Sequence, residues 1–137
     1  MIINDDAGIR RILENHKVIA VVGLSPKEDR PSNRVARFLM AHGYTVIPVN
    51  PGQREILGQT CFADLKSIPV KVDMVDVFRN ADDVPPIAAD AIAIGAKSLW
   101  LQLDVINEAA AEAATQAGLD VVMDRCPKIE HERLMGA

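Results

Sequence analysis

VVGLSPKEDRPSNRV, residues 21–35, decides how the rest of the chain is read. The apolar, β-branched run from Val18 to Val22 has the composition of a strand buried on both faces. It stops at Gly23, crosses a short loop with Leu24, Ser25, Pro26, Lys27 and Arg30, and enters a helix at Pro31 and Ser32. First-turn N–H groups of a helix lack intrahelical acceptors, and the helix dipole places partial positive charge there. A strand, a tight turn and a helix start therefore make an anion-receiving arrangement. Ser25 and Ser32 add hydroxyls to it, and Lys27, Arg30 and Arg34 add full charges. We read the stretch as a loop that holds the phosphates of a nucleotide-type ligand. The simpler alternative is that Gly23 only permits close packing and that the cations are solvated.

Working outward, the same alternation recurs. A helix ends at a glycine, and an apolar run follows: Gly43 before Thr45 to Val49, Gly95 before Ser98 to Leu101, Gly118 before Asp120 to Met123. A further strand, Val72 to Val77, follows the looser segment 50–71. The intervening helices are expected over Pro31 to His42, about Val84 to Ile94 and about Val105 to Ala117, the last capped by Asp104. A first helix, about Asp5 to Asn15, carries Ile9, Ile12 and Leu13 on one face, with Asn4, Asp5 or Asp6 as its cap. Both-face apolar strands alternating with helices predict one α/β domain over 1–137. Its expected core is a doubly wound, parallel five-stranded sheet flanked by helices, with residues 1–16 packed on it as an N-terminal helix.

Composition narrows the function classes. A chain of 137 residues, 49% hydrophobic and 25% charged, fits one globular domain. A net charge of −4 argues against nucleic acid as partner and makes a basic loop a local feature. Cys61 and Cys126 form no CxxC, and His16, His42 and His131 have no metal-ligand spacing, so neither a disulfide framework nor a metal site is expected. No apolar run reaches the roughly 18 residues of a membrane span, and the acidic start is no signal peptide, which places the protein in the cytoplasm.

In a doubly wound sheet ligands bind beyond the carboxyl ends of the strands. Five stretches belong to that rim: Gly23 to Arg30, Asn50 to Gly52, Phe78 to Asn80, Gln102 to Asp104 and Asp124 to Lys128. The first loop lacks the GxGxxG fingerprint, and Val49, Asn50 and Pro51 stand where an NAD site places an acid. Pro51 offers a flat surface to a purine; alternatively 49–52 is a bare turn. Phe78 closes a base pocket and Arg79 meets a phosphate, or they are a core ring beside a surface charge, with Asp76 paired to Arg79. Trp100 reads as core, and Gln102 as a rim residue whose amide bonds a ligand or a loop. Cys126, near Arg125 and Lys128, is either a buried inert thiol or a reactive one. No nucleophile–base–acid set or carboxylate pair assembles, so no catalytic residue is assigned.

Six segments, VVGLSPKEDRPSNRVARFL, GYTVIPVNPG, EILGQTCFADL, VDMVDVFR, AIAIGAKSLWLQLDVINEAA and LDVVMDRCPKIEH, together resemble the small stand-alone CoA-binding proteins. These are similar to the amino-terminal domain of the succinyl-CoA synthetase alpha subunit. The resemblance runs from about Lys17 to His131 and implies a Rossmann-like fold that binds coenzyme A or acyl-CoA at the rim. Gly23, Leu24, Ser25, Pro26, Lys27 and Arg30 match the family's segment around the CoA phosphates. Val49, Asn50 and Pro51 match the segment against the adenosine half, and Val77, Phe78 and Arg79 another on the nucleotide side. Leu101 and Gln102 match a strand end nearer the pantetheine arm. The synthetase domain with the phosphorylated histidine has no counterpart in this chain. A non-catalytic binder is therefore the leading expectation, as carrier, sensor or regulatory module. The alternatives are a subunit of an acyl-CoA-handling enzyme completed by a partner chain, and an NAD(P)-binding protein. A homo-oligomer, and a mixed disulfide between Cys126 and the CoA thiol, are also open.

Overall fold

Apolar runs alternating with glycine-terminated helices give a covered parallel sheet in a computed structural model of the chain, which describes residues 1–136. The elements are α1 (Asp6–Asn15), β1 (Val18–Val22), α2 (Pro31–Ala41), β2 (Thr45–Val49), β3 (Glu55–Ile56) and β4 (Gln59–Thr60), then β5 (Met74–Val77) and α3 (Val84–Ala93). β6 (Ser98–Leu101), α4 (Glu108–Gln116), β7 (Asp120–Val122) and α5 (Pro127–Met135) complete the chain. The main sheet has the order β2-β1-β5-β6-β7 and every neighbouring pair is parallel. From β1 the chain moves outward to β2, then crosses back to β5 on the other side. The strand order therefore reverses between β1 and β5, where such sheets open a crevice.

Two apolar layers sandwich the sheet. Under α1, α2 and α5 lie Ile9, Ile12, Leu13, Leu39 and Trp100; under α3 and α4 lie Val75, Val77, Leu99, Ala88 and Ala111. Full burial of a side chain the size of Leu13 contributes about 1.5–3 kcal/mol. Asp5 caps α1 by accepting the Gly8 N–H at 3.3 Å. Both sheet edges are protected, as unpaired edges invite association. The Ile3 N–H donates to the Val121 carbonyl at 2.8 Å along β7, and the Phe62 N–H to the Pro48 carbonyl at 3.0 Å along β2.

The structure departs from the sequence expectations in four places. Segment 50–71 contains the hairpin β3–β4, whose two-residue turn, Leu57 and Gly58, has φ of 54° and 74°. Strands of two residues leave no periodicity to read. β5 begins at Met74, not Val72. α4 begins at Glu108, capped by Asn107 accepting from the Ala110 N–H at 3.0 Å, because Asp104 lies in the left-handed region with φ 67° and cannot serve as the cap. Asp76 does not pair with Arg79, which bonds Asp83 instead at 3.2 Å.

The tail folds as α5, fixed by Glu130, whose carboxylate accepts from Arg125 Nη1 at 2.6 Å and Arg133 Nη2 at 2.9 Å. Burial opposes ionisation of Glu130, but the hydrogen bonds from Arg133 and Arg125 outweigh it and hold its carboxyl below the ordinary 4.5. A depressed folded value gives stabilisation that is present above the unfolded value and lost as pH falls. Glu130→Ala should therefore lose about 2 kcal/mol in denaturant melts at pH 7, with the deficit shrinking in acid.

Candidate functional site

Gly23 builds the crevice. Its φ of +85° turns the chain off β1, and a Cβ placed there would stand 2.4 Å from the Phe78 carbonyl oxygen. The ends of β1 and β5 thus approach more closely than a side chain permits. Beyond it the loop is fixed by its own polar groups. The Ser25 N–H donates to Ser32 Oγ at 3.0 Å, the Lys27 N–H to Ser25 Oγ at 3.1 Å, and Asn33 Nδ2 to the Ser25 carbonyl at 2.9 Å. Leu24 is buried beneath, and its carbonyl accepts from Asn50 Nδ2 at 3.0 Å, which joins the first rim loop to the second. Asn50 Oδ1 in turn accepts the Gly52 N–H at 2.9 Å.

Arg30 occupies the cap position of α2 with no side-chain hydrogen bond there, and Pro31 follows at the first helical position. The start of α2 therefore faces the crevice without an internal anion. Among the described residues the side chains of Lys27 and Arg30 make no hydrogen bond or ion pair, whereas Arg34 is tied to the Asp29 carbonyl at 2.6 Å. A cavity of about 430 Å³ brings together Gly23, Ser25, Lys27, Arg30, Ser32 and Phe78. A neighbour of about 460 Å³ shares Pro31 and Phe78 and adds Arg79, Asn80, Gln102 and Leu103. On the other side a hollow of about 170 Å³ joins Gly23 and Arg79 to Val49 and Pro51.

Eleven of the sixteen expected residues thus line three adjoining hollows or bind their walls together: ten as lining and Asn50 as tether. Val77 and Leu101 are buried strand ends, and Leu24 is core. Pro26 is exposed on the loop, and Arg34 is held at Asp29. The buried Asn33, 1% exposed, was missed. An asparagine three residues into a helix gives no signal by type alone, and only its bond to Ser25 reveals the role. Cys126 is buried and lines a further hollow with Met123 and Arg125, which meets the cavity of Gln102 at Leu103. Among the described residues no group of three metal-ligating side chains converges, and no helix is long and apolar enough to cross a membrane.

Fold and rim together define a Rossmann-like α/β domain whose switch-point crevice is lined by open cations. The chain belongs to the CoA binding domain family, whose model matches residues 17–132. It is 39% identical over 125 residues to the uncharacterized protein YneT of Bacillus subtilis, covering 91% of this chain and 93% of that one. It is similar to the solved structure of a hypothetical protein from Pyrococcus horikoshii OT3, with TM-score 0.95 and 43% identity over 97% of this chain and 94% of the other. It is also 30% identical, over 120 residues and 80% of its length, to the ADP-forming acetate–CoA ligase I of Archaeoglobus fulgidus, and spans 18% of that protein.

Proposed function

We propose that the chain is a single domain that binds coenzyme A, free or acylated, across the carboxyl rim of its sheet and performs no chemistry alone. The observation that carries this reading is the pair of unengaged cations, Lys27 and Arg30, beside an α2 start that no side chain caps. CoA presents a diphosphate and a ribose phosphate, which suit that arrangement. Gly23, Ser25, Lys27, Arg30 and Ser32 hold the diphosphate. Val49, Asn50 and Pro51 take the adenosine side with Arg79. Phe78 belongs with Arg79 on the nucleotide side, and Gln102 borders the run of the pantetheine arm. Val77 and Leu101 contribute backbone at the strand ends. The two free thiols fit a reducing, cytoplasmic setting.

Titration calorimetry with CoA tests this. Charge-assisted hydrogen bonds contribute roughly 1.5–3 kcal/mol, so Lys27→Ala and Arg30→Ala should each weaken binding by about tenfold or more. Arg34→Ala should change it little, because that guanidinium serves the loop. Heat with NAD and none with CoA would reject the reading. A second reading, a subunit whose chemistry a partner completes, is favoured by the likeness to one segment of a much longer ligase. Co-purification of that partner chain from the native host, with thioester turnover restored by the pair, would select it.

A further inference from the structure

One polar side chain of the sheet has no place in the site as described. Asp76 is fully buried in β5, and neither carboxyl oxygen has a hydrogen-bond partner among the described residues. By register it lies between Val21 of β1 and Trp100 of β6. Those two, with Met74 two residues earlier, belong to the layer under α1, α2 and α5, so Asp76 lies on that face. The obvious donors there are engaged elsewhere: Trp100 Nε1 donates to the Arg125 carbonyl at 2.8 Å and Asn33 Nδ2 to the Ser25 carbonyl.

Among the described residues, the other buried side-chain atom without a partner is on the next strand's extension. Gln102 is 8% exposed, and its Oε1 is buried and unbonded. Its N–H continues the ladder to the Val77 carbonyl at 3.3 Å, so Gln102 shares the face of Trp100 and Asp76. With strands about 4.8 Å apart and a rise of about 3.3 Å per residue, positions offset by two on neighbouring strands lie about 8 Å apart, within reach of long side chains. Two acceptors on one buried face bond only if one of them bears a proton. Gln102 also borders the cavity beside Phe78 and Arg79.

We propose that Asp76 is a protonated carboxyl that donates, directly or through one water, to Gln102 Oε1, and so holds the amide with Nε2 turned to the cavity as a donor for a ligand carbonyl. Burial acts in the same direction, raising the Asp76 carboxyl well above its ordinary 3.8. Asp76 is then a positioning residue. Only the identity of the ligand rests on the CoA reading, in which the acceptor is an amide carbonyl of the pantetheine arm.

Difference infrared spectra of the wild type against Asp76→Asn should show the carbonyl band of a protonated carboxyl at neutral pH, shifted in D2O. Calorimetry then separates position from mere structure. Asp76→Asn, whose Nδ2 donates to the same Oε1, should bind CoA like the wild type. Asp76→Leu should lose about fivefold to tenfold for CoA and nothing for adenosine 3′,5′-bisphosphate, which has no pantetheine arm. No protonated band, or equal CoA affinity in all three proteins, overturns the assignment and leaves the CoA reading standing. If the wild type binds no CoA, that reading fails and the ligand half of the assignment falls with it, while the infrared band still decides the proton. Should Asp76→Leu not fold, the band and the Asn variant decide alone.

Discussion

Gly23→Ala is expected to lower the unfolding free energy by about 2–5 kcal/mol and to abolish CoA binding in the protein that remains folded. Two terms add. An L side chain at φ +85° costs about 1–2 kcal/mol. The new Cβ then meets the Phe78 carbonyl oxygen at 2.4 Å and Arg79 Cδ at 2.9 Å. Arg79 has a flexible end that moves aside, but Phe78 is fixed, because its N–H donates to the Val22 carbonyl at 2.8 Å. Relief requires β1 and β5 to part at the switch point, and overpacking of that kind costs about 1–3 kcal/mol. Gly43→Ala separates the terms: its φ is +89° but its Cβ meets nothing within 4 Å, so it should lose only the conformational part. Denaturant melts of both variants, with CoA calorimetry below the transition, check this. A Gly23→Ala protein as stable as Gly43→Ala would show that the strand ends part freely and that the crevice is not built on their crossing.

The sheet and the first loop were legible because each announces itself locally. Val18 to Val22, Thr45 to Val49 and Ser98 to Leu101 are apolar on both faces, and Gly43, Gly95 and Gly118 all take the positive φ that ends the preceding helix. Gly23 and the cations after it stand out for the same reason, an unusual residue choice at a strand exit. The joining of the site was not legible. Asn50 reaching back to Leu24, and Asn33 holding Ser25, are contacts between segments whose residues look like ordinary turn and helix members. Arg34 shows the converse failure: its charge is as visible as that of Lys27, but the Asp29 carbonyl engages it. In the tail Cys126 is buried, the first of the two alternatives its sequence left open. The charges around it are structural: Arg125, Glu130 and Arg133 fasten α5 to the N-terminal segment through Asp6 and Asn4.

Asp76→Asn should stabilise the protein, and by more as pH rises. Burial raises the carboxyl of Asp76 in the folded chain, so the folded state keeps a proton that the unfolded chain releases above its ordinary value of 3.8. Above that value the native state binds more protons than the unfolded state, and stability falls with increasing pH until the folded value is passed. The slope in that window is about 1.4 kcal/mol per pH unit for one group. Asn has the same shape, donates to the same acceptor and does not titrate. The variant should match the wild type near pH 4 and exceed it by a margin that widens steadily as pH rises to neutrality. Asp76→Leu also removes the titration, but it leaves Gln102 Oε1 without a donor, a loss of about 1–3 kcal/mol, so it should fall below Asp76→Asn at every pH. Glu130 acts in the opposite sense and only in acid, and its presence in all three proteins cancels from the differences. Parallel melts from pH 4 to pH 8 decide the matter: a constant offset between wild type and Asp76→Asn means that Asp76 ionises in the folded protein as freely as in the unfolded one. The proton then lies elsewhere, and a buried carboxylate at this register would require a donor that the sheet does not supply.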